Sequence, residues 1–239
     1  MDDDELKPFQ CKMCGSCCKN FRRKLEERDL SLSKQLRKTR NLYFLVEDKD
    51  MSICLFEWEV KKLKNKAEEL NIDLRIVPSS MDLDKNNTPL VILYMLDHDD
   101  CPFLTNENKC KIYEDRPLLC QSYPLIDSRL SRESEYTKIL PPIFGDCPNY
   151  KVPTNFTFPN ITEAFNLMAK NFGDSFYASL RSDVASKFLG YCGSLLVKNK
   201  LLKTEKIPHS ELLKILDKQV GLIEYVLKNG LLPKETIEN

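Results

Sequence analysis

Four cysteines fall inside eight residues near the start of the chain, at Cys11, Cys14, Cys17 and Cys18 in FQCKMCGSCCKN, and no other feature limits the fold as tightly. A disulfide between the neighbours Cys17 and Cys18 strains the peptide that joins them. Thiols so close along the chain seldom reach the dihedral a disulfide needs. A metal ion or an iron–sulfur cluster satisfies such a group more readily. The preceding residues, MDDDELKPF, are acidic and carry neither the basic nor the apolar region of a signal peptide, which predicts a cytoplasmic protein. Thiols in that compartment are kept reduced, so ten cysteines there predict metal binding or redox chemistry.

With 239 residues, 42% of them hydrophobic, the chain can bury a core of its own. The longest apolar run, PLVILYML from Pro89 to Leu96, is far short of the roughly 20 residues a membrane helix needs, so no membrane span is expected. Lys plus Arg and Asp plus Glu number 36 each, which leaves no net field to draw in nucleic acid or anionic lipid. The locally basic stretches KNFRRKLEER (19–28) and KQLRKTR (34–40) contain few aromatics to stack on bases, and read as solvated faces.

Hydrophobic periodicity sketches the rest. NLYFLV (41–46), DLRIVP (73–78) and PLVILYML (89–96) read as strands, the last two paired across the polar connection SSMDLDKNNT. Phe56, Val60, Leu63, Ala67 and Leu70 form one stripe of an amphipathic helix, with Trp58 beside it. Asn106, Glu107 and Asn108 mark a hairpin-like turn that would bring Cys101 and Cys110 together. Frequent prolines between Cys101 and Pro159 exclude long helices there. Beyond Asn160 the texture is helical, with Leu212, Leu216, Val220, Ile223 and Leu227 on one stripe that Gly230 ends. The expected fold class is α+β: a metal-organised cysteine-rich loop domain with a small sheet (1–159), followed by an all-helical C-terminal part (160–239).

The cysteines continue at Cys101, Cys110, Cys120 and Cys147, and eight thiolates suffice for two four-coordinate sites. The run C-x2-C-x2-C has the spacing that wraps three corners of a ferredoxin-type cluster, with Cys18 pointing away to a second site; zinc accepts the same sulfurs. An iron–sulfur cluster in at least one site is the expectation. Cys54 and Cys192, in apolar surroundings that read as helical, are expected to be small buried hydrophobes. His98 reads as a surface residue or a support behind the ligands, and His209 as part of a helix N-terminus.

CKMCGSCC, CPFLTNENKCKIYEDRPLLCQSYPL and DCPN together resemble the YkgJ-type cysteine-cluster family of zinc- or iron-chelating proteins, over about residues 9–150. The resemblance implies Cys11, Cys14, Cys17, Cys18, Cys101, Cys110, Cys120 and Cys147 as metal ligands. It extends to flagellin lysine N-methylases, which implies S-adenosylmethionine as a cofactor and methyl transfer as a reaction. The family usually carries a basic residue where this chain has Gln121. Arg116 in EDRP is a candidate cofactor-binding residue: its five-donor fork suits loop carbonyls, a carboxylate or an anionic ligand, and a structural role on carbonyls is favoured. With seven glycines and no G-x-G-x-x-G, a Rossmann-type methyltransferase is disfavoured. The other expectation is non-catalytic: metal organises the loops and the helical part engages a protein partner.

Overall fold

The computed structural model describes residues 6–19, 42–45, 52–127, 143–144, 147–151 and 160–233. The basic stretches of the first quarter, apart from Lys19, and the proline-bearing segments 128–142 and 152–159 lie outside the described residues. In chain order the elements are β1 (Tyr43–Phe44), β2 (Cys54–Leu55), α1 (Glu57–Glu69), β3 (Ile76–Leu83), β4 (Pro89–Leu96), α2 (Leu118–Ser122), β5 (Leu125–Asp127), β6 (Ile143–Phe144), α3 (Ile161–Phe172), α4 (Asp174–Lys198), α5 (His209–Lys214), β7 (Val220–Gly221) and α6 (Leu222–Lys228). Short 3-10 turns lie at Ser16–Cys18, Tyr113–Asp115 and Leu216–Lys218. The fold is α+β. Among the described residues no helix is long and apolar enough to cross a membrane.

Two compact units interleave along the chain. A cysteine unit takes Met1–Phe21 and Asp100–Ala185, and a sheet unit takes Arg22–Asp99 and Ser186–Asn239. The expected boundary at 159/160 marks a change of sequence texture, while the units follow packing and change over three times.

In the sheet unit, β3 and β4 pair antiparallel from Ile76 opposite Leu96 to Leu83 opposite Pro89. β3 is longer than expected: Ser79 to Leu83 were expected in a polar connection and are strand, with Ser79 and Ser80 buried and Met81 fully so. Two serines in a row erase the apolar alternation, and the ladder shifts register at Ser80. Asp84 shapes the turn to β4: its Oδ1 accepts the N–H groups of Asn86 (2.8 Å) and Thr88 (2.7 Å), and its Oδ2 accepts the Tyr225 hydroxyl (3.0 Å). β1 pairs with β3, while β2 and β7 share the other edge of β4, β2 antiparallel at Tyr94 and Met95 and β7 parallel at Leu90 and Val91. In α1 the predicted stripe is buried at Leu63 and Ala67, and ends at the exposed Leu70. Trp58 stacks on Phe56, ring centroids 4.8 Å apart.

The single helical stripe expected over 210–230 is instead α5, a 3-10 turn, β7 and α6, so among the described residues the C-terminal part is helical with one strand inserted. The free edge of β4 supplies hydrogen bonds that override the periodicity. A Cβ at Gly221 would lie 2.1 Å from Glu57 Cδ, so any other residue there would displace the Glu57 carboxylate. The Glu57 carboxylate accepts the N–H groups of Ile223 (3.0 Å) and Glu224 (3.1 Å), closing the first turn of α6.

The cysteine unit is built on Leu6, Leu125, Ala164, Met168, Phe172 and Phe176. Asn160 caps α3 by accepting the Glu163 N–H at 2.9 Å, and Gly173 ends it with a positive φ of 47°. The absence of long helices from Cys101 onward holds among the described residues up to Lys151: the one α-helix there, α2, has five residues. The segment is nevertheless ordered by short elements, including α2 and the β5–β6 pair.

Candidate metal centre

All eight motif cysteines belong to the cysteine unit, whereas Cys54 and Cys192 belong to the sheet unit. Cys17 and Cys18 sit in the 3-10 turn, entered through Gly15 at φ 73°. No side chain fits at Gly15, since a Cβ would lie 2.9 Å from both Cβ and O of Asn108. The loop of the first four thiols thus presses on the turn that carries Cys110. Beside it the Cys101 N–H donates to the Cys18 carbonyl at 2.8 Å. The expected hairpin is present: Leu104 and Cys110 bridge antiparallel, and Thr105 N–H donates to the Lys109 carbonyl at 2.8 Å. Phe103 and Ile112, buried at its two ends, anchor it. Cys120 is carried by α2.

Cys147 is brought to the first loop from its own side. The Asn149 amide donates to Cys14 Sγ at 3.2 Å, and the Tyr150 hydroxyl donates to the Lys7 carbonyl at 3.0 Å. Phe9 lies edge-on to Tyr150 at 5.6 Å and stacked on Phe172 at 6.2 Å, so the residues flanking the thiols are fastened to α3 by aromatic packing. The Phe9 N–H adds a 2.6 Å bond to the Asn171 carbonyl.

The sulfurs feel one another. Cys17 and Cys18 Sγ lie 4.0 Å apart. The hydrogen bond shared with Cys18 raises the Cys17 thiol, and burial and the Cys18 and Cys14 charges add to it. A hydrogen bond with the Cys101 thiol pushes Cys18 up to about 12. Burial raises Cys120 first, and then the charges of Cys18, Cys17 and Cys110, while Arg116 opposes. Burial likewise raises Cys110 and Cys147, the latter also sensing Cys14, Cys17 and Cys11. Cys14 moves down, held by hydrogen bonding with Ser16 and helped by Asn149. Crowded sulfurs that resist joint ionisation are stabilised as thiolates by a cation placed among them.

A family model described as CxxCxxCC, "Putative zinc- or iron-chelating domain", matches residues 10–141. The chain belongs to this family. No curated protein and no solved structure matches it. Seven of the eight motif cysteines lie inside the matched segment, and Cys147 lies beyond it.

The donors fit a zinc- or iron-chelating domain in kind. Zinc–sulfur bonds of about 2.3 Å put the sulfurs of a tetrahedral site about 3.8 Å apart, close to the Cys17–Cys18 spacing. Among the described residues no three His, Cys, Asp or Glu side chains already stand in positions that hold a metal ion.

Arg116 takes a structural seat. Its Nε donates to the Tyr113 carbonyl at 2.7 Å and its guanidinium carbon lies 3.7 Å from the centre of the Tyr113 ring. Gln121, where the family resemblance leads one to expect a base, donates to the Arg116 carbonyl and accepts from Arg181 at 2.9 Å, so a guanidinium reaches this position from α4. Cys54 is in strand β2 and not at a helix start as expected, because it pairs with Met95 of β4. Cys192 is fully buried in α4. Burial pushes both thiols up to about 11. His98 Nε2 accepts the Arg75 N–H at 2.9 Å in the sheet unit, and His209 begins α5 as expected. Sequence reasoning missed Asn149 and Tyr113. The signals were their places two residues after Cys147 and three before Arg116.

Proposed function

We propose that the protein is a cysteine-rich metalloprotein whose eight motif thiols hold an iron–sulfur cluster, zinc or both. One observation carries the reading: thiols far apart in sequence are collected in one unit, where the Cys101 N–H donates to the Cys18 carbonyl at 2.8 Å, and membership of a zinc- or iron-chelating family agrees with it. The spacing C-x2-C-x2-C favours a cluster in at least one site. The reaction proposed for such a centre is S-adenosylmethionine-dependent methyl transfer, on the resemblance to flagellin lysine N-methylases alone; no residue is assigned to it.

Metal analysis of full-length protein purified without oxygen tests the proposal. Iron with acid-labile sulfide supports a cluster. Zinc without iron or sulfide replaces it with a zinc-stabilised protein whose role is binding a partner. Protein that binds neither metal defeats the chelation reading. Copurified S-adenosylmethionine, or methyl transfer to an added lysine peptide, supports the enzyme over the scaffold.

A further inference from the structure

The sheet unit gathers positive charge at the turn from β3 to β4. That turn and the connection leaving α4 are fastened side by side through their backbones. The Lys85 N–H donates to the Leu201 carbonyl at 2.9 Å, the Lys203 N–H donates to the Leu83 carbonyl at 2.9 Å, and Asp84 and Leu202 form an antiparallel bridge. Lys85, Lys198, Lys200 and Lys203 are thereby brought from two stretches of chain to one end of the β3–β4 pair. Asn87 and Lys200 take left-handed turns at φ 61° and 53°, and the Lys203 amine donates to Asn87 Oδ1, which fixes the two stretches further.

The surroundings leave this charge unanswered. Asp84, the carboxylate of the turn, is buried, and its oxygens are taken by the N–H groups of Asn86 and Thr88 and by the Tyr225 hydroxyl. Glu205 is the one acid between Lys198 and Lys206 in the sequence. Among the described residues no carboxylate forms an ion pair with Lys85, Lys198, Lys200 or Lys203. Lysines at a helix end ordinarily answer its last carbonyls. Here the backbone has already done so: Leu195 accepts the N–H and the side-chain amide of Asn199, Leu196 accepts the Leu201 N–H, and Val197 accepts the Lys200 N–H. The exposed amines of Lys85, Lys198 and Lys200 are left to solvent or to a partner.

We infer that this lysine cluster is a docking surface for an acidic segment of a partner protein. The inference goes beyond the chelation reading and does not need it, since every residue involved lies in the sheet unit. Three features select this partner among anions. Neither LDKNNT (83–88) nor VKNKLLK (197–203) has an aromatic ring, so the surface lacks both a platform for stacking bases and an aromatic anchor for a lipid interface. All four cations are Lys, mobile point charges that suit carboxylates at irregular spacing, whereas Arg supplies the bidentate fork matched to phosphate. The exposed amide of Asn86 adds a donor for peptide carbonyls beside them. The backbone bonds hold the surface ready, so a partner need not order it on arrival.

The probe is a fluorescein-labelled oligoglutamate peptide, its anisotropy followed as full-length protein is added at low salt. Binding is expected, fading as salt shortens the reach of the charges. Lys85→Glu with Lys200→Glu should weaken it about tenfold, while Lys61→Glu, an exposed position on α1 of the same unit, should leave it unchanged. Should the double charge reversal lower the denaturant midpoint, Lys85→Gln with Lys200→Gln is expected to weaken binding about threefold in a protein of unchanged midpoint. No binding at low salt, or equal weakening by Lys61→Glu, would overturn the surface. Tighter binding of a single-stranded oligonucleotide or of phosphatidylserine vesicles than of the peptide would overturn the choice of partner. Metal content is expected to be the same in every variant, so this test and that of the chelation reading fail separately.

Discussion

The sheet unit and the cysteine unit hold themselves together by different means. In the sheet unit, Met81, Leu90, Val91 and Met95 are buried on β3 and β4 and every strand has a partner, so apolar area and a hydrogen-bonded ladder account for the order. In the cysteine unit, the core of Leu6, Leu125 and helices α3 and α4 supports one side, while the loops that carry the thiols contain a bridge, two 3-10 turns and a five-residue helix. Those loops bury few large side chains beyond Phe103 and Ile112. The difference predicts that the thiol-bearing loops lean on bound metal, whereas the sheet depends on its own residues.

The largest expected effect comes from removing metal. A structural thiolate site contributes on the order of 10 kcal/mol, so stripping the purified protein with a chelator should abolish hydrogen-exchange protection over Cys101 to Cys120 and leave the β3 and β4 amides protected. Equal loss in both units would break the contrast. Next in size, Leu90→Ala, at a fully buried position in β4, should cost about 2–5 kcal/mol in denaturant unfolding of the sheet unit without changing metal content. Glu57→Ala removes both acceptors from the first turn of α6 and should cost about 1–2 kcal/mol, read in the same unfolding experiment.

The smallest effect is the sharpest control. Cys54→Ser and Cys192→Ser should leave metal stoichiometry unchanged, because both residues sit in the sheet unit. Cys192 also gives the sheet unit a pH signature. Its thiol is raised in the folded protein from an ordinary 9.0 to about 11 by burial, so its contribution is complete below pH 9.0 and is lost as pH rises toward about 11. Thermal unfolding midpoints should fall over that window, and the fall should be shallower in Cys192→Ala.

The thiol pattern could be read from sequence because C-x2-C spacing is local, and so could the 101–110 hairpin, since its turn residues lie between its ligands. The β3–β4 pair and helix α1 were visible for the same reason: their periodicity is their own. What stayed hidden depends on partners remote in the chain. Ser79 and Ser80 are strand because β4 lies beside them. Val220 and Gly221 leave a helical stripe because an edge of β4 and the carboxylate of Glu57 await them. Asn149 matters to Cys14 only once the Cys147 loop has been folded back, and its place two residues after Cys147 marks it without naming that partner. The interleaving of the units is hidden in the same way.

The hydrogen bond from Cys101 to the Cys18 carbonyl has a consequence for how the protein is made. The first four thiols leave the ribosome well before the residues that complete their surroundings. At about 5–20 residues per second, the stretch of roughly 130 residues between Cys18 and Cys147 takes about 7 to 26 s to synthesise. Throughout that interval the newborn chain offers a bare cluster of sulfurs to any passing oxidant or mismatched ion. On the proposed ligand set, loading belongs to the end of translation, and a cell short of reducing power should lose this protein during its birth more than during its working life.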